Sequence, residues 1–174
     1  MGQFIIDGNP NYLHTKDTKV LSGMFRDGES TERAYSYLIE KGYSTDEINL
    51  LMSNQTQKRH FVDISEDTEV EAGDYAVKGS DIKEGIVAVG TTVHIEGNEI
   101  FIAGPLVEGL EGNRLAGGII ESFVSCGMPE AWAKLYDSGI REGNIVIMLT
   151  PKDDADAVYI QSNWKKNQGE EIHF

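Results

Sequence analysis

The chain of 174 residues, 40% hydrophobic and 25% charged, is long enough for one domain with a real core and has an ordinary globular composition. Its 29 acidic and 15 basic side chains leave a formal net charge of −14, a field that repels phosphate backbones and anionic lipid surfaces, so nucleic-acid binding is not expected, and with no window near the ~18 uninterrupted apolar residues of a membrane helix, stable membrane insertion is not expected either. The single cysteine, Cys126, cannot form an intrachain disulfide, and the start MGQFIIDGNPNYLHTKD lacks a basic region followed by an apolar one, which makes a cytoplasmic location the expectation.

In chain order, residues 1–17 read as a loose arm whose Phe4-Ile5-Ile6 triplet is fit to add an edge strand. Residues 18–174 read as a single α+β domain. KVLSGMF (Lys19 to Phe25) predicts a strand and STERAYSYLIEKG a helix, with Ser30 as the expected N-cap, an Ala34, Tyr37, Leu38, Lys41 stripe, and Gly42 as the stop. INLLMS (Ile48 to Ser53) is an apolar run of strand length, so the segment forms a β-α-β crossover with parallel strands, expected to be right-handed. Residues of about 54–90 form an acidic insertion. TTVHI and EIFIAG flank an EGN turn and predict a hairpin.

After Gly104-Pro105 the pattern becomes helical. Leu106, Val107 and Leu110 share one face, and Leu115, Ile119, Ile120 and Phe123 another. Pro129 opens a further helix with Trp132, Leu135 and Tyr136 on one side. NIVIMLT is a strand, and Asp153 or Asp154 caps a last helix that buries Val158, Ile160 and Trp164; EEIHF then forms an edge strand or a tail. Two β-α-β units in series predict a ferredoxin-like split β-α-β sandwich. Its sheet is four-stranded and antiparallel with helices on one face, to which the acidic loop and hairpin are added.

The order of these elements, with Ala103-Gly104-Pro105-Leu106, Gly117-Gly118, Gly127-Met128-Pro129-Glu130, Ala133, Tyr136 and the run Gly139 to Gly143, resembles the bacterial general stress protein (heat-induced stress protein) domain. The likeness spans roughly Lys19 to Asp156. It implies a small cytosolic protein linked to stress responses, without catalytic residues to carry over. Where relatives tend to be apolar and Ala/Gly-rich in the middle, this chain has the acidic YAVKGSDIKEG and the hairpin.

Three groups compete as carriers of chemistry. Cys126 would be a tuned nucleophile if it lay at the N-terminal turn of the helix after Pro129. Gly127 more naturally ends the preceding helix, which leaves the thiol as packing. In DISEDTEVEAGD, the residues Asp63, Ser65, Asp67, Glu69, Glu71 and Asp74 approach the spacing of a calcium loop. Thr68 stands where glycine is needed and Asp74 where a bidentate Glu is, so a solvated charged loop is preferred. His14, His60, His94 and His173 share no ligand spacing. His60 belongs with Lys58 and Arg59 to a compact basic cluster, which would receive an anion or else neutralise nearby carboxylates; the second reading is preferred. No phosphate-binding glycine motif or serine elbow occurs. The expectation is therefore a non-enzymatic protein, with no catalytic, cofactor or metal residues. It acts through self-association as a homodimer or larger assembly, for instance through the 91–103 hairpin, or through an unknown protein partner. A divalent-metal or small-ligand module at the acidic loop, and a thiol enzyme at Cys126, are the alternatives.

Overall fold

The computed structural model describes residues 19–61, 90–95, 97–106 and 118–174. Among these, six strands and five α-helices form one mixed α+β architecture. In chain order they are β1 (Leu21–Phe25), α1 (Gly28–Glu40), β2 (Ile48–Ser53), α2 (Asn54–Phe61), β3 (Gly90–Ile95), β4 (Asn98–Ala103), α3 (Gly118–Ser125), α4 (Glu130–Arg141), β5 (Ile145–Leu149), α5 (Asp154–Lys166) and β6 (Glu170–His173). The sheet is antiparallel throughout, in the order β3-β4-β2-β5-β1-β6.

The sheet thus has six strands where four were expected, and it carries helices on both faces where one was expected. The reason lies in the central strands. Ile48, Leu50, Met52, Ile145, Ile147 and Leu149 face α1 and α5. Their alternates Leu51, Val146 and Met148 face α3 and α4, with Ile100 and Ile102 beside them. Strands with apolar residues at successive positions need two apolar neighbours, one on each side. Tyr35, Leu38, Ile160 and Trp164 supply the first layer; Ile119, Phe123, Tyr136 and Ile140 supply the second.

Three split crossovers interleave. The unit β1-α1-β2 straddles β5, β4-α3-α4-β5 straddles β2, and β5-α5-β6 straddles β1. A half-turn in the plane of the sheet superposes the path of the first unit on that of the second, so equal hands would put their helices on one face. They lie on opposite faces, so the second crossover has the opposite hand to the first. The third shares the hand of the first. The odd one is also the longest connection, residues 104–144, which relaxes the geometric preference that tight crossovers obey.

Local chemistry sets the boundaries. The N-cap of α1 is Asp27, not Ser30: Asp27 Oδ1 accepts from the Ser30 amide at 2.7 Å and Oδ2 from its hydroxyl at 3.2 Å. For α5 the N-cap is Asp153, whose Oδ1 accepts from the Asp156 amide at 2.7 Å. Helix α2, inside the stretch read as irregular, opens where Ser53 Oγ accepts from the Thr56 amide at 3.1 Å. Leu135 and Val158, both expected in the core, stand 37% and 60% exposed, while Ala133, Ile140 and Ala157 fill those layers. Gly104 follows β4 with φ 107°, and a Cβ there would lie 2.1 Å from the Ile48 carbonyl oxygen. Only glycine lets the chain turn so close to β2, after which the Leu106 amide donates to the buried Asn49 Oδ1 at 2.8 Å.

Candidate functional site

Helix α3 ends in a Schellman turn, which places Cys126. Gly127, at φ 98°, donates its amide to the Val124 carbonyl at 3.0 Å, and Met128 donates to Phe123 at 3.1 Å. Cys126 is the last residue before that glycine, at the negative end of the α3 dipole, and half-buried against the α3–α4 layer. Burial pushes its thiol pKa up. The glycine and proline around it shape the chain: α4 begins at Glu130, directly after Pro129.

The structure does not bring His60, His94 and His173 together as a metal site. Among the described residues no cluster of three or more His, Cys, Asp or Glu could hold an ion. His14 and the acidic stretch Asp63 to Asp74 lie outside the described residues. His60 ends α2 with Lys58 and Arg59, where cations complement the helix dipole. The Asp27 carboxyl is held below its usual value, chiefly by the Ser30 amide; Arg33 and His60 add smaller favourable charges against the opposing effect of burial. His173, in β6, stacks on Trp132 with ring centroids 4.5 Å apart, and burial lowers its pKa. A polar strut joins α1 to α5. Lys41 Nζ contacts Asp156 Oδ1 at 3.0 Å, the Tyr43 hydroxyl donates to Asp156 Oδ2, and the Lys152 amide donates to the Tyr43 oxygen at 2.9 Å.

The remaining candidate is the sheet margin, and its two ends differ. On one side β6 is four residues long, carries Glu170 and Glu171, and meets β1 through an irregular register. Shortness, charge and a bulge are the usual means of blocking strand addition. On the other side β3, GTTVHI, has six residues, no carboxylate and no lysine, and pairs regularly with β4 from Gly90↔Ala103 to Ile95↔Asn98. Among the described residues no strand lies on its outer side.

Only two residues separate Ile95 from Asn98, and Gly97 takes φ 82°. In so tight a hairpin the closing pair exchanges both its hydrogen bonds, and the alternation fixes the rest. Thr91 and Val93 bond to β4; the N–H and C=O groups of Gly90, Thr92 and His94 point outward. The hairpin is also held in place. Asn54 Nδ2 at the start of α2 donates to Glu99 Oε2 at 2.8 Å, and His94 Nε2 lies 3.2 Å from Glu99 Oε1. The Asn54 bond, and then the His94 bond, lower the Glu99 pKa. A cleft of about 270 Å³ runs beside β3, lined by Asn54, Gln57, Lys58, Gly90, Thr92 and Phe101.

No family model, no curated protein and no solved structure matches the chain. Sequence reasoning marked the hairpin as an association element but not the difference between the two margins. The absence of Lys, Asp, Glu and Pro from Gly90–Ile95, beside EEIH at the other margin, was the available signal.

Proposed function

We propose that this chain is a non-catalytic association module of the general stress protein type, working in the cytoplasm and binding by strand addition at β3. The observation that carries this reading is the open row of backbone groups at Gly90, Thr92 and His94, on a margin free of the charges that guard β6. Main-chain hydrogen bonds supply affinity in strand addition, and the alternating side chains supply selectivity. Rigid support of the hairpin by Asn54 and Glu99 lowers the ordering cost of binding. The glycines and proline on which the family resemblance rests have backbone roles at Gly104, Gly127 and Pro129, which suits a family without shared catalytic residues. The interleaving of β1-α1-β2 with β5-α5-β6, in the order β2-β5-β1-β6 with α1 and α5 on one face, supports a ferredoxin-like ancestry, extended by β4 and β3 at the β2 margin.

Amide hydrogen exchange tests the reading. In an unbound chain the outward amides of Gly90, Thr92 and His94 exchange much faster than those of Thr91 and Val93. Binding slows the outward set as concentration rises. Outward amides that exchange at one rate across all concentrations and with every added binding partner would remove β3 as the binding edge.

A further inference from the structure

Strand β6 is the least firmly paired of the six. It meets β1 at two register positions, Ser22↔His173 and Met24↔Glu170, so Glu171 and Ile172 together stand opposite Gly23. At that bulge Glu171 takes φ 48°, and in the turn before it Gln168 takes φ 65°, both left-handed conformations that disfavour a side chain. The Arg26–Glu170 ion pair lies in open solvent and adds little. Strand β1 does not depend on β6, because it pairs regularly with β5 from Leu21↔Leu149 to Phe25↔Ile145. What holds β6 is packing on its two faces. Ile172 and Phe174 lie against the α1–α5 layer. On the other face the Tyr136 hydroxyl donates to the Glu171 carbonyl, Ser22 Oγ donates to the His173 carbonyl at 3.5 Å, and the His173 ring stacks on Trp132 of α4.

We infer that β6 is a proton-released clasp: neutral His173 closes it against α4, and the imidazolium opens it while the rest of the sheet stays folded. The side chains that meet β6 on this face, Ser22 of β1 and Trp132 and Tyr136 of α4, carry no charge that could receive a cation. The charged groups of the same elements are engaged with one another: Arg26 with Glu170, Lys134 with Glu130, Arg141 with Asp137, and Lys19 over the Phe174 ring, while Glu171 is exposed. Burial alone acts on the His173 pKa, and it acts downward. The open strand therefore takes a proton more readily than the closed one. Closure is complete above about pH 6.5 and is lost as pH falls through the lower value of the closed state. The device lies on the margin opposite β3, independent of any binding there, and its release uncovers the outer edge of β1.

The test follows amide exchange in the full chain from about pH 7.5 to about pH 5.5, corrected for the intrinsic pH dependence of exchange, a range that lies above the titration of Asp27 and Asp156. The expected result is loss of protection across Glu170–His173 on acidification, with Ile145–Leu149 protected throughout. In the same samples the Trp132 indole and His173 ring proton signals should move with the same midpoint as that loss. His173→Phe keeps an aromatic ring against Trp132 and removes the proton site, so its β6 should stay protected at every pH, with β5 protection as the check on its fold. Protection of β6 that does not change with pH would overturn the clasp. So would protection that rises in acid, the outcome if attraction of the imidazolium to the Trp132 face outweighs burial. Loss of β5 together with β6 would make the event global unfolding and overturn it, as would an equal loss in His173→Phe or a Trp132 signal that ignores the His173 titration.

Discussion

Gln168 holds φ 65°, a left-handed conformation that disfavours a side chain, where the turn after α5 is closed by Gly169 donating to the Trp164 carbonyl at 2.7 Å. Glycine removes that steric cost, so Gln168→Gly should raise stability by roughly 0.5–1 kcal/mol in urea unfolding. Gly104 is the reverse case. Gly104→Ala adds a Cβ onto the Ile48 carbonyl in a left-handed conformation, and should cost roughly 3 kcal/mol or more by the same measurement. At Cys126 burial and the end of the α3 dipole both oppose the thiolate. Native iodoacetamide labelling should therefore run slower than that of free cysteine; faster labelling would revive a thiol chemistry at this position.

At the scale of elements, Thr92→Pro separates the two sides of β3. The amide it removes points away from β4, so the hairpin should survive while strand addition fails; circular dichroism unchanged with association lost is the expected pair of results. The existence of most elements was legible in the sequence, because punctuation is local. Gly42 and Gly127 stop helices, Asp153 starts one, and each act involves only a few neighbouring residues. Helix α2 escaped because it is short and buries only Thr56, Gln57 and Phe61, too few for a periodic stripe. The two-sided sheet escaped although INLLM and IVIML announced it, since such a run could equally be a short buried strand under one layer. Val158 and Leu135 were misplaced because hydrophobicity does not say which of two adjacent helix faces turns inward. Of the candidate site, the hairpin was visible from TTVHI and EIFIAG. The Gly90 cleft was not, because it depends on Phe101 and on α2, which approach through tertiary folding.

For the whole molecule, charge governs two responses. Asp27 and Asp156 both titrate below the ordinary carboxylate value in the folded chain. At Asp27 the main cause is the Ser30 amide; at Asp156 burial is outweighed by the bonds from Tyr43 and Lys41. The folded state therefore holds fewer protons in acid than the unfolded one. The stability these groups lend is complete above about pH 4 and is lost as pH falls through their lower folded values. Urea midpoints from neutral to acid pH should show that decline, and Asp27→Asn should flatten it. Any association between copies brings two chains of −14 together, so salt should strengthen it; sedimentation at low and high sodium chloride checks the sign. Among the described residues, no helix is long and apolar enough to cross a membrane. Finally, β1 is buried at all five positions, yet its two neighbours are β5 and β6. On a translating ribosome, this early hydrophobic strand emerges long before either companion has been made. It must wait, unpaired, until β5 has been made, which makes Leu21–Phe25 a segment in need of chaperone cover during synthesis.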